Sequence, residues 1–197
     1  MKREVIHGAL ENVLLSIDNL DKKTVLDVFA REGDWNSYLI YNKCQKMECW
    51  EIDPSYENKL KLNLPKAKIK IIDSIKTINT YEDAKKYDVI FIDNSLGIYG
   101  NHQYCEHFNF IKNTSKLLKK GGYLIFNVNV KPFEGENYKE YKNQREIFYK
   151  TSVTTLDYLI QFYKDLLGII NEKSIRIFPR EKYNSQVYLY FFTVKID

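Results

Sequence analysis

Four acidic residues, Asp27, Glu51, Asp73 and Asp93, each close a short strand-like run, and they recur at intervals of 24, 22 and 20 residues. Each interval is about the length of one strand plus one crossover helix. In a parallel sheet such positions line up along the carboxyl edge, where open α/β folds bind their ligands. A row of carboxylates there suits a ligand with hydroxyls, an amine and a positive centre, and suits a polyphosphate poorly. The absence of a Gly-x-Gly-x-x-Gly run disfavours a dinucleotide as well.

The intervening segments fit this reading. Apolar spacing predicts a helix from Val5 to Leu20, and Thr24–Val28 is the first strand. A loop through Gly33 leads to a helix over Trp35–Tyr41, then a strand over Met47–Ile52. Pro54 fits the first turn of the next helix. Ala67–Ile72, interrupted by Lys68 and Lys70, reads as a strand near the sheet edge, whereas Val89–Ile92 is continuously apolar and belongs at the centre. A helix is expected from Cys105 to Lys120, stopped by Gly121-Gly122, with a fifth strand over Tyr123–Val130. Residues 132–150 are polar and aromatic and are expected to cap the site as a lid. Thr154–Leu167 is helical up to Gly168, and Ser174–Phe178 and Val187–Ile196 form a closing antiparallel hairpin.

A chain of 197 residues with these elements is one domain, 1–197. Its first residues are too polar for a signal peptide, and no apolar run approaches the roughly 20 residues that span a bilayer. Three cysteines without a recognisable spacing fit reduced thiols and a cytoplasmic location. Arginine occurs five times among 30 basic residues, so lysine dominates. An A/T-rich coding sequence accounts for the abundance of Lys, Asn, Ile and Tyr, so nucleic acid is not the favoured partner and no membrane partner is expected.

The motifs in order resemble the class I S-adenosylmethionine-dependent methyltransferases. Val25-Leu26-Asp27-Val28-Phe29-Ala30-Arg31-Glu32-Gly33 is similar to that family's first motif, and Cys49-Trp50-Glu51-Ile52-Asp53-Pro54 to its ribose-binding strand end. Ile71-Ile72-Asp73-Ser74 and Tyr87-Asp88-Val89-Ile90-Phe91-Ile92-Asp93-Asn94 are similar to its third and fourth strand ends. The resemblance implies a Rossmann-like, mostly parallel seven-stranded sheet with a C-terminal antiparallel hairpin, and S-adenosyl-L-methionine as cofactor. It assigns the cofactor to Asp27, Phe29, Ala30, Gly33, Glu51, Ile52, Asp73, Ser74 and Asp93. Within it, Glu51 would accept the ribose hydroxyls, Asp73 the adenine amine, and Gly33 would let the chain pass close to the cofactor. Asp53 is read as a local turn or cap. Phe29 and Arg31 stand where glycines are frequent; Arg31 either reaches the cofactor's carboxylate or pairs with Glu32 or Asp34.

The segment after the fourth strand is dense in groups that bind or deprotonate a substrate. Asp93, His102 and His107 are the candidate catalytic residues, since an oxygen nucleophile benefits from a base. Asn94, Tyr99, Tyr104, Asn127 and Asn129 are candidate substrate contacts. His102, Cys105 and His107 lack a fourth ligand of recognisable spacing, so no metal is assigned. The implied activity is methyl transfer to a small or medium-sized acceptor. The competing readings are an RNA or protein methyltransferase, and a catalytically silent cofactor-binding scaffold.

Overall fold

The computed structural model describes residues 3–81, 85–93, 97–100, 103–133, 135–183 and 186–196. In chain order the first half contains α1 (Arg3–Leu15), β1 (Thr24–Val28), α2 (Asn36–Tyr41), β2 (Lys46–Glu51), α3 (Glu57–Asn63), β3 (Lys68–Ile71), α4 (Ser74–Thr80) and β4 (Tyr87–Ile92). A two-stranded ribbon follows, β5 (Ile98–Tyr99) with β6 (Tyr104–Cys105), then α5 (Phe108–Ile111). The chain ends with β7 (Leu118–Asn129), α6 (Lys139–Tyr149), α7 (Leu156–Leu167), β8 (Ile175–Tyr183) and β9 (Gln186–Lys195).

The seven long strands form one sheet in the order β3-β2-β1-β4-β7-β9-β8. Strands β3, β2, β1, β4 and β7 are parallel, while β9 runs antiparallel to both β7 and β8. The lysine-interrupted β3 is an edge strand, and the apolar β4 lies between β1 and β7, as their sequences require. Alternation along the strands divides the core. One face buries Val25, Cys49, Phe91, Ile125 and Phe191 beneath α1, α2 and α3. The other buries Leu26, Trp50, Ile90, Phe126 and Phe192 beneath α5, α6 and α7. No described helix is long and apolar enough to cross a membrane.

The expected helix over Cys105–Lys120 does not form. Glu106 adopts a left-handed backbone with φ of 44° and a fully buried side chain, which interrupts helical continuation. Only Phe108–Ile111 is α-helical, and the Thr114 hydroxyl donates back to the Ile111 carbonyl (2.8 Å) where the helix ends. Lys119, Lys120, Gly121 and Gly122 belong to β7. A Cβ on Gly122 would come within 3.0 Å of the Asp88 carbonyl, so this glycine permits close strand approach.

The segment 132–150 is the one expected to cap the site as a lid. It contains α6, whose Tyr141, Arg145 and Tyr149 are buried. Arg145 pairs through Nη1 with the Glu106 carboxylate and donates from Nη2 to the Asn129 carbonyl (2.7 Å), while the Tyr141 hydroxyl donates to Glu106 (2.5 Å). A helix locked by a buried ion pair is part of the body of the domain. Arg145→Met leaves the Glu106 carboxylate buried without its cation. It is expected to lower the unfolding free energy by about 3–5 kcal/mol in urea titrations; a loss below ~1 kcal/mol would show that the ion pair does not hold α6.

Candidate active site

The carboxyl edge of the parallel strands opens into a cleft of about 630 Å³, a volume typical of small-molecule sites. Its wall includes Phe29, Ala30 and Arg31 after β1, Trp35, Asn36 and Ser37 at the start of α2, and Glu51 at the tip of β2. Asp93, Tyr99 and Arg180 line the other side.

The loop after β1 is held in an alternating backbone. Phe29, Arg31 and Gly33 all take positive φ, at 68°, 51° and 70°. For two of these to be non-glycine costs conformational energy, and such residues concentrate at functional sites. Hydrogen bonds offset that cost. The Phe29 and Ala30 N–H groups both donate to the Trp50 carbonyl (3.1 Å each), and the Arg31 N–H donates to Glu51 Oε2 (2.7 Å). Glu51 Oε1 accepts from the Ile52 and Asp53 N–H groups, both at 2.9 Å. Glu51 is therefore oriented by three backbone donors while still lining the cleft, and Oε2, which accepts one bond, keeps a lone pair for a further donor.

At the opposite end, Asp93 is the centre of a polar cluster. Its Oδ2 accepts from the Asn36 side-chain amide (2.6 Å) and its Oδ1 from the Asn127 amide (2.6 Å) and from Arg180 Nη1 (3.0 Å). Arg180 Nη1 also donates to Asn127 Oδ1 (2.5 Å). Strand register explains the assembly: Phe91 pairs with Ile125, so Asp93 and Asn127, two residues further along, stand together above the sheet. Arg180 reaches them from β8 by passing over the Phe191 ring, 4.9 Å from its centroid.

Asp27 lies beneath this floor, fully buried, with neither carboxyl oxygen in hydrogen-bonding geometry. Burial pushes its pKa up to about 8; the nearby Ser37 hydroxyl opposes the shift, and the negative charges of Asp93 and Glu51 add to it.

Other sequence candidates fall elsewhere. Asp73 caps α4, its Oδ1 accepting from the Ile75 and Lys76 N–H groups at 3.0 Å each, and neither it nor Ser74 lines the cleft. Gly33 is buried against α3, where a Cβ would meet Leu64 at 2.8 Å; its role is packing and turn geometry, not clearance for a ligand. Ile52 is exposed beside Glu51. Tyr104 does not line the cleft; its ring packs against Tyr99 at a tilt of 40°, with centroids 5.7 Å apart.

Asn129 is buried, its Oδ1 accepting from the Lys131 N–H (3.0 Å). His107, expected to act as a base, is fully buried among Phe108, Phe126 and Phe148, with Nε2 2.6 Å from the Tyr163 hydroxyl. Burial, with the Arg145 charge adding, pushes its pKa down to about 3, so it is a neutral packing residue away from the cleft. Asn94 and His102 lie outside the described residues. No group of three or more metal-ligating side chains occurs among the described residues. Asp53 caps the turn before α3 by accepting from the Ser55 N–H (2.9 Å).

Arg180 and Asn36 carry no motif and were missed. The one available signal was the scarcity of arginine in a lysine-rich chain. Arg145 uses the planar fork that lysine lacks, bonding through both Nη1 and Nη2.

No protein-family model matches the chain, and no curated protein matches it. Solved structures do. N-methyltransferase NodS from Bradyrhizobium japonicum WM9, in complex with S-adenosyl-l-homocysteine, aligns over 98% of this chain and 86% of its own with a TM-score of 0.60 and 13% identity. The 1,6-didemethyltoxoflavin-N1-methyltransferase of Burkholderia thailandensis aligns over 100% and 80%, with TM-score 0.61 and 11% identity. The M. jannaschii tRNA m1G37 methyltransferase aligns over 98% of this chain and 50% of its own, with TM-score 0.61 and 16% identity. The chain has the fold of the class I S-adenosylmethionine-dependent methyltransferases.

The buried Asp27 gives a pH-dependent prediction. Between the unfolded carboxyl value and about 8, the unfolded state has lost the proton and the folded state retains it, so stability falls as pH rises through that window. Asp27→Asn removes the titration. It is expected to match the parent near pH 4 and to exceed its stability by at least about 1 kcal/mol at pH 8 in denaturant titrations. Parallel stability curves for the two proteins would contradict the assignment.

Proposed function

We propose that the protein is an S-adenosylmethionine-dependent methyltransferase acting on a small or medium-sized acceptor. The observation that carries this reading is Glu51, held by three backbone N–H groups at the tip of β2 and facing a nucleoside-sized cleft on a methyltransferase fold. Its carboxylate would accept the ribose hydroxyls. The left-handed loop over Phe29–Arg31 would flank the ribose, and Asp93, Asn127 and Arg180 would bound the methionyl end. The donor set fits the group: hydrogen-bond acceptors at the ribose end, paired charges at the other, and an unpartnered buried carboxyl below.

S-Adenosylmethionine, when bound, supplies an electrophilic methyl carbon on a sulfonium. The residues of this chain have positioning work to do, since in-line displacement demands alignment more than proton transfer. Asp93, already accepting from Asn36, Asn127 and Arg180, serves to orient rather than to deprotonate. The size reading is supported by charge. Glu32, Asp34, Glu51 and Asp93 outnumber Arg31 and Arg180 in the cleft wall, an unfavourable surface for a polyphosphate backbone.

Two measurements test the reading. Calorimetry with S-adenosylhomocysteine should show one site, and Glu51→Gln should weaken it by about 1.5–3 kcal/mol, the value of a charged hydrogen bond. Absence of binding by the parent protein would sink the cofactor assignment. With radiolabelled S-adenosylmethionine and a cell extract, label is expected in low-molecular-weight products; label confined to RNA or protein would overturn the acceptor class.

A further inference from the structure

We propose that the Asp93–Arg180 pair is the receptor for the α-amino carboxylate of the cofactor, with Arg180 holding the carboxylate. The inference rests on the cofactor reading above and adds a residue that no sequence motif marks.

The described residues lining the cleft include two cations, Arg31 and Arg180. Their placements differ. The Arg31 backbone N–H is bound to Glu51, which puts this residue at the ribose end, and its side chain is exposed. Arg180 stands at the other end, where β4 and β7 finish, joined to Asp93 and Asn127. A ligand fixed through its ribose at Glu51 therefore extends its methionyl group toward Arg180.

The guanidinium is partly committed and partly free. Nη1 is used by Asp93 and Asn127. Nε is buried, has no hydrogen-bond partner, and faces Glu181 at 3.7 Å. Nη2 has no hydrogen-bond partner among the described residues, and the side chain borders the cleft. The planar fork is fixed at one end by a strand-borne pair and stacked on Phe191, so the remaining donors are preorganised. A carboxylate is the group that such a donor binds in short, charge-assisted hydrogen bonds.

The pair has the polarity of its ligand reversed. An α-amino acid carries its ammonium and carboxylate on the same carbon. Asp93 and Arg180 present a carboxylate and a guanidinium 3.0 Å apart. Docked antiparallel, the ammonium meets Asp93 and the carboxylate meets Arg180 Nη2, and all four charges are compensated without unpairing the protein's own ions.

Decarboxylated S-adenosylmethionine isolates the claim, because it lacks the carboxylate and keeps the sulfonium, ammonium and nucleoside. By calorimetry, the parent protein is expected to prefer S-adenosylmethionine by about 10-fold or more. Arg180→Gln should abolish that preference by weakening S-adenosylmethionine alone, and Arg31→Gln should retain it. Arg180→Lys, a second variant that keeps the charge without the fork, should retain part of it. A parent protein that binds both compounds equally would leave the cofactor reading intact and overturn the role of Arg180. Loss of preference in Arg31→Gln with retention in Arg180→Gln would move the carboxylate to Arg31. If neither compound binds, the cofactor reading falls and this inference falls with it.

Discussion

The hydrogen bond from the Arg31 N–H to Glu51 ties the loop after β1 to the tip of β2, and these two elements form one wall of the cleft. Without it, a loop carrying Phe29 and Arg31 in left-handed conformations would relax, since each such residue costs about 1–3 kcal/mol. The Trp50 carbonyl adds two further bonds to the same loop, from Phe29 and Ala30. Phe29 is anchored from its side chain as well, lying edge-on to both Tyr99 and Phe110 at 6.1 Å. Side-chain packing and backbone bonding thus do here what glycine does elsewhere by removing the steric obstacle. The carboxylate that holds the loop is the one that faces the cleft.

The other side of the cleft is supported from a different layer. Asp93 and Asn127 stand together because β4 and β7 are in register, and Arg180 arrives only because the terminal hairpin adds β9 and then β8 outside β7. Beneath the opposite face of the sheet, Glu106, Arg145 and Tyr141 form a buried cluster that fixes α6 against the ribbon of β5 and β6. Tyr99 connects the two regions. It lines the cleft and donates its hydroxyl to the Glu106 carbonyl (2.6 Å). Packing on one face therefore sets the position of an aromatic wall on the other.

The alternation of strands and helices, the edge and central strands, and the terminal hairpin were legible in the sequence because each depends on local periodicity and on the spacing of breakers. The helix expected at Cys105–Lys120 was misread for a physical reason. Glu106 is polar and looks exposed in a linear pattern, but Arg145, 39 positions later, supplies the charge that buries it. A lid over 132–150 was inferred from polarity, and the same long-range pairing turns that segment into a packed helix. His107 illustrates the limit from another side. Its neighbours in sequence suggest a reactive histidine, while its neighbours in space are aromatic rings and Tyr163. Arg180 was invisible because its partners lie on two other strands and its own strand gives no motif.

The four spaced acids that define the fold end in four electrostatic states. Glu51 is satisfied by backbone donors, Asp73 is taken up in capping a helix, Asp93 is paired with a guanidinium, and Asp27 is sealed from water with its proton retained near neutral pH. Their common position at strand ends fixes where they are along the chain, not what surrounds them. The surroundings follow from the face of the sheet and from what the next helix brings. The first residues of α2 place Asn36 on Asp93 and Ser37 beside Asp27. The four acids therefore do not act as one block of negative charge: Asp27 retains its proton, Asp73 is used in a helix cap and Asp93 is compensated by Arg180. Of the four, Glu51 and Asp93 line the cleft, one held by backbone N–H groups and the other by an ion pair with Arg180.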